Sequence, residues 1–264
     1  MQPVLRLPII LAGLAMLAAP WARAAPPLQL CFEDAPQPPW TMPDGRGLNI
    51  ELLKRVERLT GDHFVLSSRP WARCIEETRI GRMDGMIGAA DSPERRQFSV
   101  PPLQPDGSID AAKSLYLSQV YLYLRVGSGA SWDGTTLHNP RGLVITQRGY
   151  FVADLLRARG QRVIDVVKSS DEALRLLATG SADVAALMTN PEHDAARADL
   201  LYRSQVSKAP QRFAAIPLHL LFSKISYQRD PARMEAIWTA IAAVRASPDF
   251  RKLEAAELRR PSMK

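Results

Sequence analysis

The sequence lacks the short motifs that mark many nucleotide-binding, hydrolytic and zinc-dependent enzymes. It contains no Walker loop, no Gly-x-Gly-x-x-Gly after a predicted strand, no Gly-x-Ser-x-Gly and no His-Glu-x-x-His. Its four histidines are far apart and do not have the spacing of metal ligands. The motifs therefore predict no cofactor, no bound metal and no enzymatic activity, although a site assembled only by the fold would escape this search.

Continuous runs of basic residues are also absent. The chain has 34 Lys and Arg against 27 Asp and Glu, which gives a formal net charge of +7. The basic residues are scattered, without a run of five or six and without the interleaved aromatic residues typical of nucleic-acid-binding segments. We therefore predict no nucleic-acid partner. A composition that is 46% hydrophobic and 23% charged is that of an ordinary soluble globular protein.

Only one long apolar run is present, and it lies near the N-terminus. Leu7 to Ala19 is apolar and follows Arg6, and it is too short to span a bilayer comfortably. Ala22-Arg23-Ala24 has the small-x-small pattern of a cleavage site. We predict that residues 1–24 are a cleaved signal peptide and that the mature protein is exported and soluble. An uncleaved N-terminal anchor is the alternative.

Two segments about a hundred residues apart share one pattern. In each, an amphipathic helix ends at a Gly, an Asp follows three residues later, and a short apolar strand leads into a polar loop. The first copy contains Trp71, Ile75, Thr78, Gly81, Asp84 and Met86-Ile87. The second copy contains Ala173, Leu174, Leu177, Gly180, Asp183 and Val184 to Met188. The repeat predicts two similar α/β lobes that face each other rather than one continuous sheet.

An ordered set of residues makes the chain resemble the type-2 periplasmic solute-binding proteins, in the family 3 group that includes polar amino-acid receptors of ABC importers. The matching residues are Pro39-Trp40, Gly47 to Leu52, Pro70-Trp71, Gly81 with Asp84, Pro93-Glu94-Arg95, Phe98-Ser99, and Gly180 with Asp183. They cover most of the predicted mature chain in the order found in that family.

The resemblance implies an α/β fold with two lobes, each a mainly parallel sheet flanked by helices. It places residues 25–112 and 217–264 in lobe 1, and residues 113–216, with the crossing segments, in lobe 2. The first crossing is expected near Ala112 to Ser118, and the run Leu218 to Phe222 is expected to return as a buried strand to lobe 1. The segment Ser204 to Pro217 is not assigned, and Glu257 to Lys264 is expected to be a loose basic tail.

The two cysteines are interpreted through the same resemblance. Cys31 lies in the first predicted strand and Cys74 in the helix after Pro70-Trp71, and these elements are neighbours within one lobe of that fold. An exported protein with two cysteines can form one intramolecular bridge. We predict a Cys31–Cys74 disulfide. Two buried free thiols are the alternative.

Arg95 is the principal predicted binding residue. A guanidinium is planar, permanently charged and offers paired donors to a carboxylate. In amino-acid-binding members of the family, a matching Arg after a similar Ser-Pro-Glu segment holds the α-carboxylate of the ligand. Ser92-Pro93-Glu94-Arg95 matches that segment, and Ser92 is predicted to cap a helical turn that starts at Pro93. A surface Arg paired with Glu94 is the alternative.

Six further residues are predicted to line the ligand site. Trp71 corresponds to an aromatic residue that flanks the ligand in the family, whereas Trp40 has two interpretations, stacking on a ligand or covering the core of the lobe. Arg148 and Tyr150 follow a predicted buried strand of lobe 2, Leu143 to Thr146, and either could instead be a solvent-facing loop residue. The complete predicted set is Trp40, Trp71, Asp91, Arg95, Arg148, Tyr150 and Asn190.

The chain departs from the amino-acid receptors at two parts of this site. Those receptors usually have hydroxyl residues before the Pro-Glu-Arg loop, where this chain has Gly88-Ala89-Ala90. They usually have an Asp at the end of the second lobe's strand to hold the ligand's ammonium group, where this chain has Met188-Thr189-Asn190. We therefore expect a small anionic or neutral organic solute rather than a standard α-amino acid.

The predicted function is that of a monomeric periplasmic solute-binding protein. Its lobes would close about a hinge on a small, polar, carboxylate-bearing solute and present it to an inner-membrane ABC permease. Two alternatives stay open. One is an accessory or sensor binding protein without a transporter. The other is a dehydratase-like enzyme on the same fold, with Asp91 or Glu33 as its acid or base.

Overall fold

The computed structural model describes residues 25–188 and 200–259. The predicted signal peptide and Asn190 therefore lie outside the described residues. No helix within the described ranges is long and apolar enough to cross a membrane.

The first part of the chain alternates strands and helices. Its elements are β1 (Leu28–Glu33), α1 (Leu48–Thr60), β2 (Phe64–Arg69), α2 (Trp71–Arg79), β3 (Gly85–Ala90) and β4 (Ser99–Val100). Two 3₁₀ turns follow β3, Arg95–Gln97 and Ala111–Lys113.

The middle of the chain repeats this alternation and then returns. It contains β5 (Tyr116–Arg125), β6 (Ser131–Trp132), β7 (Leu137–His138), β8 (Leu143–Gln147), α3 (Val152–Ala158), β9 (Arg162–Val167), α4 (Ser170–Ala178), β10 (Val184–Leu187) and β11 (Val206–Lys208). The returning part contains β12 (Ala214–Ser223), α5 (Lys224–Arg229), α6 (Pro231–Ala246) and α7 (Pro248–Leu258).

Two long antiparallel strands join two mainly parallel sheets into two lobes. The strand order is β2-β1-β3-β12-β5-β10-β8-β9. β1 pairs in parallel with β2 and β3 in the first lobe, and β8 pairs in parallel with β9 and β10 in the second. β5 pairs with β12 along Tyr116 to Val120 and with β10 along Tyr121 to Leu124.

The hydrogen-bonded ladder is therefore continuous, and the expectation of two separate sheets was wrong on this point. β5 and β12 have ten residues each, long enough to pair with each other and with a strand of one lobe. Repeated helix–strand units do not reveal this, because it depends on where two distant strands meet. The residue ranges predicted for the two lobes stay a prediction.

The helices form because their apolar residues recur on one face. In α6, the predicted stripe Met234, Ile237, Trp238, Ile241 and Val244 is buried, and the indole N–H of Trp238 donates to the carbonyl of Leu220 at 2.7 Å. This contact fixes α6 against β12. The predicted stop at Gly81 is also found, with φ of 74° after α2.

The two repeated aspartates hold the backbone of their own lobes. Asp84 accepts the N–H of Gln29 at 2.7 Å and the hydroxyl of Ser226 at 2.5 Å. The fully buried Asp183 forms ion pairs with Arg125 and Arg141 at 2.8 and 3.3 Å. Each carboxylate thus has structural partners within its own lobe, as buried polar groups require.

The structure refines three local points. Ser92 caps a helical turn as predicted, since its Oγ accepts the Arg95 N–H at 3.2 Å, and this is a 3₁₀ turn that begins at Arg95 rather than at Pro93. The unassigned segment before Leu218 contains β11 and the start of β12, because β12 already pairs with β5 at Ala214. The expected loose tail was wrong at its start, since Glu257 and Leu258 belong to α7.

The predicted disulfide is present. Cys31 on β1 and Cys74 on α2 are bonded, and both residues are fully buried. The bond joins the central part of the first sheet to the helix that covers it.

We predict that opening this disulfide lowers the free energy of unfolding by about 4 kcal/mol, the loop-entropy value for a separation of 43 residues. Urea unfolding of the oxidised protein, with and without reductant, measures the change. The Cys31→Ala/Cys74→Ala double variant is the control, because reductant should not alter its stability. Two titratable thiols in the denatured, unreduced protein would contradict the bridge.

Candidate functional site

A cavity of about 460 Å³, measured with its opening, lies between the two lobes. Its lining includes residues at the carboxyl ends of parallel strands in both lobes, which is where open α/β sheets bind ligands. Glu33 ends β1, Ala90 ends β3, Met188 follows β10, and Tyr150 follows β8. Among the described residues, the lining consists of Glu33, Gln37, Thr41, Trp71, Ile87, Gly88, Ala90, Arg95, Tyr116, Tyr150, Phe151, Met188 and Leu218.

Gly88 forms a β-bulge in the cavity wall. Ile87 and Ala89 on β3 pair with the adjacent residues Leu220 and His219 on β12, which leaves Gly88 as the extra residue. Its φ of 77° favours glycine, although a Cβ there would meet only the Tyr116 hydroxyl, at 3.9 Å. Backbone conformation rather than lack of space therefore accounts for the missing side chain at this position.

Arg95 is buried at the contact between the lobes, with 6% of its surface exposed. One terminal nitrogen donates to the carbonyl of Ala90 at 2.7 Å and the other to the carbonyl of Gly149, in the opposite lobe, at 2.8 Å. Burial lowers the pKa of Arg95 to about 10, so the group is still charged at neutral pH. Within the described ranges it forms no ion pair with a carboxylate. The site therefore holds a buried positive charge that a bound anion could neutralise.

Glu33 supplies a carboxyl group to the same cavity. Its exposed fraction is 9%, and its Oε1 accepts the N–H groups of Asp34 and Ala35 at 3.1 and 3.3 Å. Burial, followed by the hydrogen bond with the Asp34 side chain, raises the pKa of Glu33 to about 8. The group is therefore largely protonated at neutral pH, and its single O–H can donate either to Asp34 or to an acceptor in the cavity. The sequence suggested Glu33 only as a catalytic alternative, and its position at the end of β1 was the one available signal.

Aromatic rings form much of the remaining wall. Trp71, Tyr116, Tyr150 and Phe151 all line the cavity. Trp40 does not line it, and its ring instead stacks on Tyr116 with centroids 4.1 Å apart and planes inclined by 11°. Trp40 thus supports a wall residue from behind, which agrees with its second interpretation.

The structure brings together three of the predicted binding residues, Trp71, Arg95 and Tyr150. Asp91 lies outside the cavity lining, where its carboxylate pairs with the Arg96 guanidinium at 2.6 Å. Arg148 is exposed and does not line the cavity. Sequence reasoning overlooked Gln37, whose loop gave no indication that it would reach the second lobe.

No protein-family model and no curated protein sequence matches this chain. Solved structures do match it. A histidine kinase sensor domain with similarity to periplasmic binding proteins is 18% identical, with a TM-score of 0.64 over 88% of this chain and 96% of that one. A Wolinella succinogenes protein complexed with lysine, described as a candidate binding component of an ABC transporter, is 16% identical, with the same TM-score and the same coverage of each chain.

A third match is the ancestral amino-acid-binding protein AncCDT-1, a precursor of cyclohexadienyl dehydratase. It is 16% identical, with a TM-score of 0.63 over 88% of this chain and 95% of that one. At such identities the likeness establishes the shared two-lobed fold, and the proteins that have this fold include binding proteins, a sensor domain and the precursor of an enzyme.

We predict that Glu33 makes the stability of the protein fall as pH rises from about 4.5 to about 8. Because its pKa in the folded state is raised, the folded protein holds this proton where the unfolded chain has lost it, and stability declines over that interval. Glu33→Gln should remove the decline, whose upper limit is about 5 kcal/mol.

Urea unfolding of both proteins between pH 5 and pH 9 measures this effect. Glu76→Gln, at an exposed glutamate of α2, is the control and should retain the decline. The difference in the free energy of unfolding between wild type and Glu33→Gln should change between pH 5 and pH 9. An equal difference at both pH values would show that Glu33 does not hold its proton in the folded protein.

Proposed function

From the type-2 periplasmic-binding-protein fold of this chain, we propose that it is a monomeric periplasmic protein that captures a small carboxylate-bearing solute between its lobes and delivers it to an inner-membrane ABC permease. The observation that carries this proposal is Arg95, a buried guanidinium at the cavity wall without a carboxylate partner among the described residues.

The charge of Arg95 is what a carboxylate would recognise. The guanidinium has five N–H donors, and the carbonyls of Ala90 and Gly149 occupy only part of this capacity. A carbonyl supplies a dipole but no net charge. A solute carboxylate would therefore offset the cost of burying the cation and would use the remaining donors.

The rest of the wall favours an anionic or neutral solute over an α-amino acid. The second lobe's strand leads into Met188-Thr189-Asn190, so this chain has no carboxylate at the place where the amino-acid receptors usually have one for the ammonium group. Of these three residues, Met188 lines the cavity and the other two lie outside the described residues. Glu33 is the one carboxyl group among the described residues of the lining, and its raised pKa disfavours the ionised form that an ammonium group requires. A protonated Glu33 suits a hydroxyl or carbonyl acceptor on the solute. Asn190 stays a predicted contact.

An enzymatic role is the second candidate, and Glu33 is the observation that favours it. A carboxylic acid with a pKa of about 8 inside a cavity can act as a general acid near neutral pH. Asp91, the other predicted acid or base, is less suited because it pairs with Arg96 outside the cavity. A turnover assay on carboxylic acids that can lose water, with Glu33→Gln as the inactive control, separates catalysis from binding.

The sensor alternative uses the same cavity and differs only in the partner. The likeness to a histidine kinase sensor domain supports it to the same degree as the other structural matches support transport. Adjacent permease and ATPase genes would favour transport, and their absence would favour a sensor or accessory role.

We predict that Arg95→Gln weakens binding of a carboxylate solute by roughly 2–5 kcal/mol, the cost of removing one partner from a buried charged pair. Isothermal titration calorimetry against a panel of small hydroxy, oxo and amino carboxylic acids measures it.

Arg96→Gln is the matched control. It removes the neighbouring guanidinium, which pairs with Asp91 at the surface, and should leave the affinity unchanged. An equal loss of affinity in Arg95→Gln and Arg96→Gln would contradict the role of Arg95. Tight binding of an ordinary α-amino acid would contradict the proposed solute class.

A further inference from the structure

Three separate segments of the first lobe converge on two adjacent residues of the second lobe. Arg95 and the indole N–H of Trp71 both donate to the carbonyl oxygen of Gly149, at 2.8 and 3.2 Å. The side-chain amide of Gln37 donates to the hydroxyl of Tyr150. Gln37, Trp71 and Arg95 come from the loop after β1, the start of α2 and the 3₁₀ turn after β3. We call Gly149 and Tyr150 the closing pair.

Gly149 lies at a close approach between the lobes where a larger residue would be crowded. Its φ is 73°, and a Cβ there would lie 3.2 Å from Cδ1 of Trp71 and 3.4 Å from Cδ1 of Ile75. The backbone of the second lobe thus packs directly on α2 of the first. The positive φ favours a glycine at this contact, and a Cβ would in addition crowd the Trp71 and Ile75 side chains.

The donors to the closing pair are also cavity-lining residues. Gln37, Trp71 and Arg95 line the cavity, as does Tyr150. Arg95 in addition donates to Ala90 of its own lobe, so that one guanidinium bridges the lobes and faces the cavity. Closing the lobes and completing the cavity wall therefore depend on the same side chains.

We propose that the closing pair, Gly149 and Tyr150, acts as a latch that holds the lobes closed. We further propose that Arg95 couples this latch to binding of a solute in the cavity. The latch itself follows from the contacts between the lobes, whereas the coupling to a solute rests on the function proposed above. Once a carboxylate fixes the guanidinium, its bond to Gly149 costs less side-chain entropy, and each interaction then favours the other.

The distance between the lobes in solution tests the latch without any solute. Cysteines introduced at Lys54 on α1 and Arg175 on α4, both exposed, carry spin labels for double electron–electron resonance, and the native disulfide is kept. The unsubstituted labelled protein should give mainly the distance of the closed structure. Tyr150→Phe should enlarge the population at longer distance by about fivefold, since it loses one hydrogen bond. Gly149→Ala should enlarge it as well, because its Cβ crowds Trp71 and Ile75.

Gly160→Ala is the matched control for the glycine substitution. Gly160 lies in the same lobe with φ of 75°, but no atom lies within 4 Å of the position of its Cβ. Both substitutions strain the backbone, and only Gly149→Ala should open the lobes. If Gly149→Ala does not fold, Tyr150→Phe still reports the latch through the Gln37 contact.

Arg95→Gln should also open the lobes in the absence of solute, whereas Arg96→Gln should not. Distances unchanged in Gly149→Ala, Tyr150→Phe and Arg95→Gln, or a parent protein that is already open, would overturn the proposal. Open variants together with no binding of any carboxylic acid would support the latch and reject the solute-binding function, so the two failures are distinguishable.

Discussion

The structure depends on one buried cation at the contact between two lobes. The Arg95 guanidinium is held by the carbonyls of Ala90 and Gly149, one from each lobe. Hydrogen bonds to carbonyl dipoles make its burial tolerable but carry no net charge, and the nearby carboxylates of Asp154, Glu94 and Asp91 act on it without a direct ion pair among the described residues. The same group therefore contributes to the association of the lobes and gives the cavity its positive charge. Recognition of an anion and closure of the lobes would then share one physical origin.

Backbone conformation rather than side-chain chemistry positions the acceptors of that cation. Gly88 adds a bulge to β3 just before Ala90, and Gly149 turns the chain after β8 so that its carbonyl meets the first lobe. Both glycines have positive φ. A bulge or turn of this kind aims a carbonyl group in a direction that a regular strand does not. The substitutions that would add a polar side chain at these positions would also disturb the geometry that holds Arg95.

Local patterns predicted the features that depend on local physics. Apolar periodicity predicted the buried stripe of α6, and the stop at Gly81 followed from its conformational freedom. The family resemblance led to the disulfide and to Arg95. Features that depend on distant pairing were missed: nothing near Gln37 indicates a contact 113 residues away, and nothing near Trp40 indicates that its partner would be Tyr116. The continuous ladder escaped prediction for the same reason, since strand length and pairing are not local properties.

Two ionisable side chains of the cavity lining, Arg95 and Glu33, define the charge of the solute that it would accept. Arg95 is charged at neutral pH, whereas Glu33 retains its proton until about pH 8. A solute with an ammonium group near Glu33 would have to displace the proton of this carboxyl group. The affinity for such a solute would therefore fall as pH drops below about 8, the pKa of Glu33. A solute with a carboxylate at Arg95 and a hydroxyl or carbonyl near Glu33 would displace nothing. The protonated acid would thus discriminate against amino acids without any steric barrier, because the cost lies in ionising a buried group.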